Sequence, residues 1–181
     1  MAWCEAACGL MAINLTMKEQ INRPDERCFE CGAHFPPGGA CRDHLDAVLA
    51  LETQLAHERA DVWDRLGAVT HFYAVGSYML QHPEGMGGTL AALHGLRTQL
   101  ARHLDGLDDM DAIAARVRSE ANGAARVTRR NSDPIPTWGI GDWPVSIIDV
   151  LAAGLDGYCD AVGIWIQSVR RELDARAPLQ T

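Results

Sequence analysis

Three cysteines, Cys28, Cys31 and Cys41, fall within fourteen residues, and the stretch from Cys28 to Ala40 also carries three Gly and two Pro. That density of Gly and Pro rules out a regular helix or strand there and predicts a tight knuckle followed by a loop. In Cys28-Phe29-Glu30-Cys31-Gly32 two thiolates separated by two residues can grip one ion from the same turn, and the Gly lets the backbone turn back toward sulfur. Cys41 supplies a third sulfur, and a tetrahedral zinc site wants a fourth ligand. His44 would complete Cys-x2-Cys-x9-Cys-x2-His locally, and His34 is a second local choice. The alternative for the trio is three reduced thiols that bind nothing.

Downstream of the cysteines the apolar spacing is helical. Leu45, Val48, Leu49, Glu52 and Leu55 recur at three and four residues, and Val62, Leu66, Val69, Phe72, Gly76 and Met79 continue the pattern until Pro83 stops it near His82. Thr89 is the expected N-cap of a third helix through Leu90, Leu93, Leu96, Leu100 and Leu104. A shorter helix is expected over residues 109–121, then a long surface connection over 122–143 carrying Arg129 and Arg130. A final helix starts around Asp142, Trp143 and Pro144 and runs through Leu155, Tyr158, Val162, Trp165 and Leu173, with a break expected at Gly154 or Gly157. Short connections favour antiparallel neighbours, so the expected fold is all-α: an up-and-down helical bundle with an N-terminal Cys-rich zinc knuckle. Residues 1–27 are set apart as an N-terminal extension with a short helix of their own, and residues 28–175 as the zinc-knuckle and bundle domain.

An antiparallel hairpin of the first two helices about residues 58–62 gives a non-local fourth ligand. Facing positions then sum to about 123, which sets Cys41 opposite His82 and Glu52 opposite His71. His71 and His82 are eleven residues apart, about 16 Å along the helix, so they cannot share one metal. Glu52 and His71 are the candidate catalytic residues or second ion ligands, and a buried hydrogen-bonded pair is the alternative. His94 and His103 read as helix-surface residues, while Cys4, Cys8 and Cys159 read as small packing side chains. Trp138, Trp143 and Trp165 are expected to anchor the C-terminal segment to the bundle.

Charge narrows the partners. With 16 Lys and Arg against 24 Asp and Glu, the net charge is −8, and no basic surface suited to gripping a phosphate backbone is expected. The partner classes left are a protein or a small molecule, with no nucleic acid and no membrane. The apolar start from Ala2 to Leu15 contains Glu5 and lacks the basic opening of a secretory signal, so a soluble, cytoplasmic protein is expected. In a reducing compartment closely spaced Cys are metal ligands or reactive thiols rather than a disulfide framework.

The string Cys28-x2-Cys31-Gly32, Cys41, Val48-Leu49-Ala50-x-Glu52, His71, Tyr78-x2-Gln81-His82-Pro83 resembles an uncharacterised bacterial group, domain of unknown function family 5946. His94-x-Leu96, Asp149-Val150 and Trp165 extend the resemblance over about residues 28–173. The family pattern has an aromatic residue where this chain has Arg42 and no His at the position of His44, so the resemblance implies His82 as the fourth ligand. It implies no reaction.

Three functions are compatible with these residues. In the first, structural zinc (Zn2+) held by Cys28, Cys31, Cys41 and His82, or His44, joins the knuckle to the bundle. In the second, zinc with an open position drives hydrolysis or thiol transfer on a small molecule, with Glu52 or His71 as general base. In the third, the Cys trio is a redox sensor. Three thiolates favour the first, because catalytic zinc more often uses His and carboxylates.

Overall fold

The computed structural model describes residues 27–35, 39–85, 89–123 and 137–176. The expected helix over residues 1–20, with Cys4 and Cys8, and the Arg129–Arg130 pair lie outside the described residues. Among those described, five helices follow a short Cys-rich turn: α1 (Cys41–Glu58), α2 (Ala60–Gln81), α3 (Leu90–Leu104), α4 (Met110–Gly123) and α5 (Ile147–Arg176). The fold is all-α. The only pairing outside helices among the described residues is one isolated antiparallel bridge between Arg27 and His34, which closes the knuckle.

Only Arg59 separates α1 from α2, so the two helices must fold back as a tight hairpin. α1 buries Cys41, Leu45, Val48, Glu52 and Leu55, one stripe at helical spacing. α2 ends at Gln81 because Pro83 disfavours helical backbone at the preceding residue, and His82 takes φ −124° and ψ 57°. α5 packs against both, and α3 lies on α2. The shared core holds Val48, Ala74, Leu80, Val150, Val162, Trp165, Ile166 and Val169, all fully or almost fully removed from water. α3 begins as expected, with the Thr89 hydroxyl accepting from Ala92 N at 3.2 Å. No described helix is long and apolar enough to cross a membrane.

Three expectations need correction. The last helix begins at Ile147, not around Asp142, and is initiated by the Asp149 carboxylate accepting from Ser146 N at 2.7 Å. It breaks at Gly154, whose φ of 64° belongs to the left-handed region that costs a residue with Cβ strain. The described end of the connection before it, residues 137–146, is only in part a surface loop: Ile140, Trp143 and Ser146 are buried, while Thr137, Gly139, Gly141, Asp142 and Pro144 are exposed. It forms a strap across the end of α2, held by Trp138 Nε1 donating to Leu80 O at 2.8 Å and Gln81 Nε2 donating to Val145 O at 2.8 Å. His94 and His103 are packed rather than displayed on the surface. His94 meets the Trp138 ring edge-on at 5.1 Å, and His103 donates from Nδ1 to Asp108 O at 2.7 Å while lying 5.5 Å from the Tyr73 ring.

Candidate metal centre

The knuckle is built by its own backbone. Gly32 N donates to Cys28 O at 2.9 Å and Cys28 N to Ala33 O at 2.8 Å, which curls the chain so that both thiols face inward. Gly32 sits at φ 75°, and a Cβ there would also lie 3.2 Å from Gly141 O on the strap. Cys41 enters from the first turn of α1. His82 enters from the C-terminal end of α2, and Tyr78 fixes it from one turn earlier. The Tyr78 carbonyl accepts from both the backbone N and the ring Nδ1 of His82, at 2.9 and 2.8 Å, and the two rings stack 4.0 Å apart. With Nδ1 donating to the Tyr78 carbonyl, Nε2 faces the sulfurs, the orientation that a metal-ligating His takes.

Cys28, Cys31, Cys41 and His82 are all buried, and their four donor atoms lie within 4.8 Å of one another. Cys31 Sγ is 3.6 Å from Cys41 Sγ, and Cys41 Sγ is 3.1 Å from His82 Nε2. Tetrahedral zinc with ordinary bond lengths separates two sulfurs by about 3.8 Å and a sulfur from a nitrogen by about 3.6 Å, so the donor set fits with small adjustments. His44, the local candidate, stands outside this group; its ring lies 6.3 Å from the Phe35 ring. His34, the other local candidate, is exposed on the Arg27 bridge.

Cys28, Cys41 and His82 hold their protons unequally. Hydrogen bonds from Cys31 and Cys41 hold the Cys28 thiol far below its ordinary range, whereas hydrogen bonding to Cys28 and Cys31 pushes Cys41 far up. Burial alone would lower His82, but its hydrogen bonds to the Cys28 and Cys31 sulfurs outweigh burial and push it up to about 10. A cation entering the cluster therefore displaces protons from donors that hold them at neutral pH.

Two contacts fasten the knuckle independently of any ion. Glu30, between the first two cysteines, accepts from Glu84 N at 2.7 Å, just past the His82-Pro83 turn. Trp143 Nε1 donates to Glu30 O at 2.9 Å, tying the strap to the same turn. Neither was legible in the sequence. Gln81 is also bound on both sides, its oxygen accepting from Trp165 Nε1 at 3.0 Å.

Farther along the α1–α2 groove, Glu52 and His71 meet as the hairpin register requires, with His71 Nδ1 2.6 Å from Glu52 Oε2. Sequence reasoning missed the third member. Tyr158, from α5, donates its hydroxyl to Glu52 Oε1 at 2.8 Å. Burial, followed by the neighbouring Glu52 carboxylate, pushes the Tyr158 phenol well above its ordinary range, so it remains a donor. Glu52 is 5% exposed while the His71 side chain is 53% exposed, so the buried carboxylate is satisfied from two helices and only the imidazole reaches solvent.

No curated protein and no solved structure matches the chain. Residues 26–174 match a family of unknown function, DUF5946, a span that takes in every donor of the cluster and all but the last two residues of the described bundle, and the chain belongs to that family.

Proposed function

We propose that this chain is a zinc-binding helical protein in which the metal is structural, joining the Cys knuckle to the ends of α1 and α2. The observation that carries this reading is the convergence of three sulfurs and one imidazole nitrogen, all buried, within 4.8 Å. Soft thiolates with one imidazole suit zinc over hard oxygen-seeking cations such as magnesium or calcium. Four protein donors fill a tetrahedral shell and leave no position for water, which separates a structural site from a hydrolytic one. The ligands come from the knuckle, the start of α1 and the end of α2, so one ion ties a short, Gly-rich knuckle to both helices of the hairpin.

Cobalt substitution tests both the donor set and its closure. The expected spectrum of the full-length cobalt-loaded chain is that of four-coordinate cobalt with intense sulfur charge-transfer bands, unchanged by added azide. A band shift on azide addition would show an open coordination position. It would overturn the structural reading in favour of a metal-dependent enzyme acting on a small molecule.

A further inference from the structure

A second feature lies against the outer side of the metal centre. The knuckle, the Pro83 turn and the strap do not close completely over one another, and they leave a cleft of ≈ 180 Å³. Its walls include Phe29, Glu30, Pro83, Glu84, Trp138 and the glycine-containing backbone of residues 139–141. The volume falls below the range of about 300–1,000 Å³ that encloses drug-sized ligands, so an occupant is small. Among the described lining residues two are acidic and none is basic. An anion would meet two carboxylates without a counter-charge. A neutral apolar molecule would desolvate them without replacing their water.

We propose that this cleft binds a small organic cation, an ammonium or guanidinium group on a short apolar stem. The Glu30 carboxylate is held in place by Glu84 N at 2.7 Å and Gly85 N at 3.3 Å, so its orientation is set before a ligand arrives. Those bonds leave acceptor positions unused, since a carboxylate offers about four. Glu84, exposed and also in the cleft lining, supplies a second charge. The half-exposed Phe29 ring and the Trp138 indole, whose ring already carries the Arg97 guanidinium 5.9 Å from its centroid, provide apolar wall for the stem. The net charge of −8 adds a field that favours cations throughout. The same chemistry is available from a free amine or from a lysine side chain of a partner protein.

The test is calorimetric titration of the full-length, zinc-loaded chain with phenethylamine, 2-phenylethanol, 3-phenylpropanoate and Nα-acetyl-lysine methylamide. The amine is expected to bind at least tenfold more tightly than the alcohol, with no detectable binding of the acid. Glu84→Gln is expected to weaken the amine about threefold, as an exposed charge pair does. Glu84→Lys is expected to abolish binding, and zinc content should be unchanged in both variants. Binding of the lysine derivative alone supports the cation site and assigns the cation to a partner's side chain. Equal binding of amine and alcohol, amine binding unaffected by Glu84→Lys, or binding of neither cation at millimolar concentration overturns the proposal. Zinc content measured on the same samples separates this result from failure of the structural-metal reading.

Discussion

Two polar sets share the groove between α1 and α2, eleven residues apart on each helix, and they are satisfied in opposite ways. At the Glu52 level each carboxylate oxygen has its own partner, Tyr158 on one side and His71 on the other, and the imidazole opens to solvent. At the Cys41 level the imidazole is sealed at 2% exposure, and its Nδ1 is already committed to Tyr78 O. Its Nε2 and the three sulfurs then face one another, with Cys41 Sγ 3.6 Å from Cys31 Sγ and 3.1 Å from His82 Nε2. The lower level completes itself with protons. The upper level is a donor set that could hold a cation. What distinguishes the candidate metal site from the buried polar pair is that its ligand atoms converge on one another, while Glu52 is satisfied by separate partners on two helices.

The largest effect should come from withdrawing the cation. Chelator treatment of the zinc-loaded chain is expected to lower its melting temperature sharply and to expose the Cys28–Cys41 knuckle to thiol reagents, since structural zinc contributes about 10–16 kcal/mol in small domains. An unchanged melting temperature would erase the difference between the two levels. Next, Glu52→Ala removes the acceptor of two hydrogen bonds and leaves the Tyr158 hydroxyl buried alone, an expected loss of about 3 kcal/mol in denaturant unfolding, with zinc content unchanged. Loss of zinc in that variant would show that the levels are one site.

Acidity separates the levels further. His82 is pushed up to about 10 and Cys41 is pushed up as well, so both hold protons at neutral pH that zinc must displace. Zinc affinity should therefore rise at least tenfold per pH unit between pH 6 and 8, measured by competition with a chromophoric chelator. A flat profile would mean that fewer protonated donors take part. The smallest effect is expected from Tyr158→Phe, which leaves Glu52 its His71 partner and should cost about 1–2 kcal/mol without altering metal content.

How much of this was readable in advance depends on how each contact is fixed. Cys41 opposite His82 and Glu52 opposite His71 follow from one expected register, facing positions that sum to about 123, and the structure has both pairs although its single-residue connection falls earlier, at Arg59. Tyr158 follows the apolar spacing of α5 and looks like core. Its hydroxyl bond depends on how α5 lies on α1, and that placement comes after a long connection and a break at Gly154 that no local pattern sets. The strap has the Gly- and Pro-containing composition of a loop, which points to a surface segment. Its burial comes from Ile140 and Trp143 closing over the knuckle, a tertiary contact. His44 fitted a local zinc-ligand spacing as well as His82 did by register, so spacing alone left the choice open.

The central claim is tested most directly by metal analysis of the untagged chain and four variants. The account predicts about one zinc per wild-type chain, lost in Cys31→Ser and His82→Ala and retained in His44→Ala and Glu52→Gln. A stably folded wild-type chain without metal would contradict it, as would zinc retained in His82→Ala and lost in His44→Ala.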